Sequence, residues 1–461
     1  MLKPVSLKNG IRVLRIPKNS AESFVIGLVV RTGSGVEKGN YPTGLSYLIE
    51  RLFWKGTDKH PSIMSLNNTL EGIGGEFISH TGKETTEFYL RVPAYHQYKA
   101  ISLLSEIIQH SNFSERDIEI EKSNIIGDIK NFEDVEFPDK REMTLSHLFS
   151  DTGIGSPTKG SIESVMMINQ QHVADYLSHQ YTPSNCTLVI SGNFETKSCM
   201  ELLEQEWSLW NPRSMKPYRT DSYIVVADEA LPAMQFRQRG YAQSHMSVGF
   251  VLEGGFRSPE ELEVKEHTDD ENAIIPVSKD QLLSEWSKLL MLNTILGQGL
   301  SSRLWLKCVE DEVLFETIGS TLELFKYTGF INIAGVTTEN TQFTFAFESV
   351  LSVLDALKKT TLSINEFTKA REYLKGRLIL NQEDIMNSTI WQVDLFMATE
   401  LDIDKPELIE YIQKVDSNTI RALAMDLFVP ERMVVTTVGT AKNSTLIDKL
   451  ITKHIGSVVT V

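Results

Sequence analysis

Residues 44–57 read GLSYLIERLFWKGT, and the reading of the whole chain turns on them. Leu45, Leu48, Ile49, Leu52 and Phe53 recur at i, i+3, i+4, i+7 and i+8, the spacing of one apolar helical face. Tyr47, Glu50, Arg51 and Trp54 fall on the other face. A helix reading H-x-x-E-H sets two imidazoles one turn apart on a single Zn²⁺, with the glutamate placed to polarise a water molecule. Here the frame is Y-x-x-E-R. A phenol is a poor zinc ligand, and a guanidinium has no lone pair to offer. Of that chemistry only Glu50 remains.

The 461 residues exceed one ordinary domain and leave ample material for a core. A formal net charge of -16 argues against nucleic acid or an anionic membrane as partner. Cys186, Cys199 and Cys308 are scattered and lack metal spacing, which predicts packing cysteines in a reducing compartment. No run approaches the ~20 apolar residues of a membrane span. Residues 1–20 contain no uninterrupted apolar stretch, so a cytoplasmic location is expected.

Strand signals come first, IRVLRI at 11–16 and FVIGLVV at 24–30, ending in the turn Gly33, Ser34, Gly35. After the opening helix, residues 62–72 read as a second helix, broken by Gly74 and Gly75. The extended stretches EFISHT and TTEFYLRV follow, and then a helix over 98–110. A long charged helix opens behind Ser114, a suitable cap, and continues through Glu121 and Asp128. Helix, turn at Pro183 and strand CTLVISG occupy residues 162–192. Pro212 and Pro217 mark an interdomain linker over 211–223.

The second half repeats the first. YTPSNCTLVISGN at 181–193 aligns without gaps on FVPERMVVTTVGT at 428–440, an offset of 247. FSERDIE from Phe113 matches LSINEFT from Leu362 at an offset of 249, and each opens a long helix. FVIGLVV matches SVGFVL at 247–252 with an offset of about 222, so an insertion is required. The acidic, pattern-free run at 254–276 supplies it and reads as a solvated loop. The expected architecture is α+β: two homologous domains, 1–215 and 216–461, each a mixed or antiparallel sheet packed against helices.

Glu121 and Asp128 lie seven residues apart, two turns along one helical face. With KNGIRVLRIP, RTGSGVE, GIGGEF and YTPSNCTLVISGNF, these motifs make nearly the whole chain resemble the pitrilysin and insulinase family of zinc peptidases. The likeness is to the mitochondrial processing peptidase branch and its bacterial two-subunit relatives. The resemblance places the family's two histidines on Tyr47 and Arg51 and its catalytic glutamate on Glu50. Its distal carboxylates fall on Glu121 and, at the zinc-ligand position, Asp128. All three ligand positions are altered, so no zinc is expected on this chain. The Arg51 guanidinium is expected to replace the cation, pairing with Asp128 and with Glu121 as a second partner.

The family's substrate-holding Arg and Tyr, seven residues apart, fall on Val309 and Glu316 after Ser301-Ser302-Arg303-Leu304. LGQGLSS at 296–302 resembles the glycine-rich loop of the non-catalytic processing subunit. The strand around Phe77, Ile78 and Ser79 takes the place of the family's peptide-lining strand, whose backbone can pair with any extended peptide. His172 and His179 stand roughly 10 Å apart along a helix, too far to share one zinc. His80 and His245 read as surface or hydrogen-bonded histidines.

The resemblance therefore implies a bacterial, catalytically silent subunit of a heterodimeric peptidase. A homologous partner with intact H-x-x-E-H would supply the zinc, and this chain chamber wall and peptide binding. The alternative is a scaffold homologue, like the respiratory core proteins, with no part in proteolysis.

Overall fold

The computed structural model describes residues 3–134, 140–150, 152–210, 233–238, 243–252, 254–256, 278–439 and 444–456. The linker at 211–223 and nearly all of the acidic run at 254–276 lie outside the described residues. The first half carries β1 (Val5–Ser6), β2 (Arg12–Pro17), β3 (Ser23–Val30), α1 (Leu45–Leu52) and α2 (Ile63–Glu71). β4 (Glu76–Thr81), β5 (Thr86–Pro93), α3 (Gln97–His110), α4 (Glu115–Asp134) and α5 (Lys140–Leu148) follow. α6 (Ile162–Met167), α7 (Gln170–Gln180), β6 (Cys186–Gly192) and α8 (Thr196–Trp207) close it.

The second half carries β7 (Ala233–Gln238), β8 (His245–Leu252), α9 (Lys279–Gly297), α10 (Arg303–Trp305), β9 (Phe315–Leu324) and β10 (Gly329–Thr337). Then come α11 (Phe343–Lys359), α12 (Ile364–Leu380), α13 (Ile385–Thr399), α14 (Lys405–Lys414) and α15 (Ser417–Leu427). β11 (Met433–Gly439) and α16 (Ser444–His454) end it.

These elements form an α+β protein with two sheets covered by helices. The first sheet has the order β1-β2-β6-β3-β5-β4 and the second β7-β11-β8-β10-β9. In each, one pair is parallel, β2 with β6 and β7 with β11, and the strands beyond it are antiparallel. The repeat is thus visible in topology as well as sequence: β6 and β11 begin 247 residues apart, and α4 and α12 begin 249 apart.

The chain divides into two compact units. One comprises Met1–Glu136, Asp151–Ser222 and Asn381–Asp402; the other Phe137–Ser150, Tyr223–Leu380 and Ile403–Val461. Each half therefore lends the other a helix. In the first unit, α13 lays Ile385, Met386, Val393, Phe396 and Met397 against Leu14, Val25, Val29, Tyr89 and Val189 of the sheet. In the second, α5 covers β8, where Gly249 leaves room for Thr144: a Cβ there would stand 2.3 Å from the Thr144 Cγ2. The contiguous blocks 1–215 and 216–461 do not allow for this exchange. The apolar face of a covering helix looks the same in sequence whichever sheet it covers.

In the first unit the main core lies between the sheet and α1, α3, α4 and α7. Leu45, Leu48, Ile49 and Leu52 are fully buried, and Phe53 nearly so. At about 1.5–3 kcal/mol for each such side chain, this face contributes on the order of 10 kcal/mol, an upper bound since the unfolded chain is already partly compact. Gly44 precedes α1 with φ +93, and its missing Cβ would lie 2.5 Å from the Lys159 carbonyl oxygen. That backbone conformation and that contact both call for glycine. Ser114 caps α4 as its sequence suggests, accepting the Asp117 N–H at 3.1 Å. All three cysteines are free and buried.

Candidate functional site: a cation-filled cleft between α1, β4 and α4

Burying the apolar face of α1 turns Tyr47, Glu50, Arg51 and Trp54 toward a cleft of about 310 Å³, which Phe77, Ser79, Lys55 and Glu121 also line. The three stretches singled out in the sequence thus meet within the first unit. β4 is one of the two edge strands of its sheet. Its alternating exposure turns Phe77 and Ser79 to the cleft side, while Ile78 points the other way and is exposed.

Glu50 is buried, and hydroxyl groups of β4 occupy both its oxygens. Ser79 Oγ donates to Oε1 at 2.6 Å, and Thr81 Oγ1 donates to Oε2 at 2.5 Å. Glu121 is fully buried on α4. Arg51 Nε donates to its Oε2 at 2.5 Å, Lys55 Nζ pairs with Oε1, and Asn124 Nδ2 donates to Oε1 at 2.9 Å. Burial pulls the Glu121 carboxyl upward, but the hydrogen bonds and charges of Lys55 and Arg51 outweigh it and hold it below the usual carboxylate range. The same pairing outweighs desolvation at Arg51 and raises its guanidinium.

The order of the two carboxylates reverses the expectation. Arg51 reaches Asp128 only at 3.8 Å, and Asp128 is only half-buried, whereas Glu121 takes the short bond. The reason is burial: the carboxylate out of water gains most from a cation. Arg51 Nη1 also donates to the Tyr47 hydroxyl at 3.4 Å. The Trp54 indole stacks on Phe77 with centroids 4.0 Å apart and 11° between planes, and donates to Asn67 Oδ1 at 2.8 Å.

Lys55, Thr81 and the Trp54–Phe77 stack were not identified from sequence. Lys55 follows Arg51 by one helical turn, a spacing that could have signalled a second cation on the same face. In the second unit, Val309 lies half-buried in a π-helical turn at Leu306–Asp311, and Glu316 is exposed on β9. His245 is buried in β8, where desolvation and then Lys140 lower its imidazole to about 4.

The donor set at positions 47, 51 and 128 does not suit a zinc ion. It offers a phenol, a guanidinium that brings its own charge, and one half-buried carboxylate already within reach of that guanidinium. Among the described residues no three of His, Cys, Asp and Glu are grouped as metal ligands. No helix among the described residues is long and apolar enough to cross a membrane.

Comparison with known proteins agrees with the fold. YmxG of Bacillus subtilis (strain 168), named an uncharacterized zinc protease, is 24% identical over 433 residues, 94% of this chain and 97% of that protein. The crystal structure of a protease from Helicobacter pylori superposes with a TM-score of 0.80 at 14% identity, covering 95% of this chain and 99% of the other. A chain of complex III2 from Candida albicans gives a TM-score of 0.74 at 15% identity, covering 98% and 100%. Residues 12–162 match the insulinase (peptidase family M16) profile and residues 167–374 that of the peptidase M16 inactive domain, so the chain belongs to the M16, or insulinase, peptidase family.

Proposed function

We propose that this chain is a non-catalytic subunit of a two-chain M16 peptidase, binding peptide and forming part of the chamber wall while a homologous partner with H-x-x-E-H supplies the zinc. The observation that carries this reading is the Arg51–Glu121 pair, which puts a guanidinium where two ligands and a metal would have to meet. Glu50 keeps its family position, but Ser79 and Thr81 engage both of its oxygens. The edge position of β4 supports peptide binding, since an extended peptide can add to it through backbone hydrogen bonds, whatever its side chains. The partner, the bound peptide and the zinc of the partner all belong to this proposal. So do the cytoplasmic location and the loss of the substrate-holding pair at Val309 and Glu316.

A second reading has its own support: the likeness to a chain of complex III2 fits a scaffold that keeps the fold without proteolysis. One experiment separates the two. A homologue bearing H-x-x-E-H, encoded next to this chain, is purified alone and together with it, and cleavage of an unstructured peptide is measured. The proposal expects a stable complex whose activity far exceeds that of the partner alone. A partner fully active by itself, or one that does not bind this chain, refutes the subunit role. Zinc-dependent hydrolysis by this chain alone, abolished by Glu50→Gln, refutes its catalytic silence.

A further inference from the structure

Glu37 lies outside the cleft, in the segment that leads into α1, and is completely buried. Its Oε2 accepts the Gly44 N–H at 2.7 Å and its Oε1 the Ser46 N–H at 2.6 Å. These are N–H groups that the start of α1 leaves without an intrahelical acceptor, and Gly44 has no side chain with which to cap them. A carboxylate seven residues upstream therefore does the work of an N-cap, favoured by the positive end of the helix.

The groups around Glu37 come from four elements. Ser46 Oγ and the Tyr176 hydroxyl of α7 are 2.7 Å apart, and that hydroxyl lies 2.8 Å from Thr32 Oγ1 beyond β3. The Tyr41 ring meets Tyr176 edge-on at 5.0 Å. From the turn between β4 and β5, buried Lys83 contributes the nearby positive charge, its Nζ donating to the Ser156 carbonyl at 2.7 Å. Ser46 is the residue before Tyr47, so whatever fixes its backbone also fixes the cleft-facing side of α1.

We propose that Glu37 is a proton-sensitive positioning residue for α1. As a carboxylate it clasps Gly44 and Ser46 together and holds the helix that presents Tyr47, Glu50 and Arg51. Proton uptake releases one of the two bonds and loosens that helix. A carboxylic acid keeps one good acceptor oxygen, while its O–H becomes a donor that neither N–H can accept.

Burial pushes this carboxyl up to about 7, against the hydrogen bonds from Ser46 and Gly44 and the charge of Lys83, all of which favour the ionised form. The change therefore falls in the neutral range. In an unfolded chain the group ionises near 4.5. Between there and about 7 the folded protein holds a proton that the unfolded chain has lost, so this group's contribution to stability falls as pH rises through the window. The local grip on α1 changes in the opposite sense, growing as the carboxylate forms. A buried carboxyl with no positioning role shows the first effect only.

Hydrogen exchange of the full-length chain, followed by mass spectrometry from pH 5.5 to 8.5 and corrected for the intrinsic pH dependence of exchange, reads the grip directly. Protection of the amides at 44–48 should rise with pH about a midpoint near 7, by roughly ten-fold or more for one charge-assisted bond. Glu37→Gln should abolish the rise. Ser46→Ala, which removes a hydrogen bond favouring the ionised form, should keep the rise and move its midpoint upward. A flat wild-type profile, or one that Glu37→Gln leaves unchanged, overturns the proposal. Where Glu37→Gln fails to fold, Ser46→Ala decides, and an unmoved midpoint overturns it. None of these outcomes depends on peptide binding or on a partner subunit.

Discussion

Arg51 and Glu121 give the sharpest test of how the cleft is held together. Replacing Arg51 with Met removes a charge-assisted bond to a buried carboxylate but leaves Lys55 and Asn124 on the other oxygen. A hydrogen bond to a charged group contributes about 1.5–3 kcal/mol, and the partial exposure of Arg51 reduces that to about 1–2 kcal/mol. Glu121→Gln is the more damaging change, because it strips the partner from two cations at once, and Lys55 is mostly out of water. Removing one partner of a buried pair costs about 3–5 kcal/mol; the freedom of Arg51 to turn toward Asp128 and solvent lowers this to about 2–3 kcal/mol. The assay is urea unfolding of both single variants and the double variant at pH 7, with an expected coupling of about 1–2 kcal/mol. The depressed Glu121 carboxyl fixes the pH dependence: its contribution is present above the unfolded value near 4.5 and is lost as pH falls through the folded value. The gap between wild type and Glu121→Gln should therefore close on acidification. If Arg51→Met is neutral, or the coupling is below about 0.5 kcal/mol, the guanidinium is not the cation that holds this site.

Two further changes probe the frame of the cleft. Phe53→Ala empties a site packed against the rings of Phe88, Phe113 and Tyr181, at 5.0, 5.2 and 5.2 Å between centroids, and should cost about 3–5 kcal/mol in urea unfolding. Gly44→Ala forces a side chain onto a backbone at φ +93 and against the Lys159 carbonyl. A loss of more than about 1 kcal/mol in thermal unfolding is expected, and a neutral result would show that the turn can relax.

The fold was legible because its signals are local. The apolar spacing of α1, the alternation of β4 and the cap at Ser114 each depend on a few neighbouring residues, and the repeat supplied the second unit from the first. The exchange of α5 and α13 was not legible. Thr144 packs over Gly249 and Met386 over the first sheet, and nothing in either short helix names its sheet. At the site, residue identity already marked 47 and 51 as poorly suited to zinc, but the ranking of Glu121 over Asp128 depends on how deeply each carboxylate is buried. That depth is set by tertiary packing, which the heptad spacing on α4 leaves open. Glu37 stood in plain view inside RTGSGVE, yet its role appears only when the chain folds it back onto Gly44 and Ser46.

The retained carboxylates then have a physical explanation without catalysis. A buried Glu50 or Glu121 with no partner would be costly. In this chain each has been given polar company: hydroxyls of β4 for Glu50, and Arg51, Lys55 and Asn124 for Glu121. Those contacts tie α1 to the edge strand on one side and to α4 on the other. A cleft wall held in this way needs no metal to keep its shape. Reintroducing histidine at 47 and 51 would therefore remove a cross-link before it restored a ligand set, and the first measurable effect of such a change should be a less stable first unit.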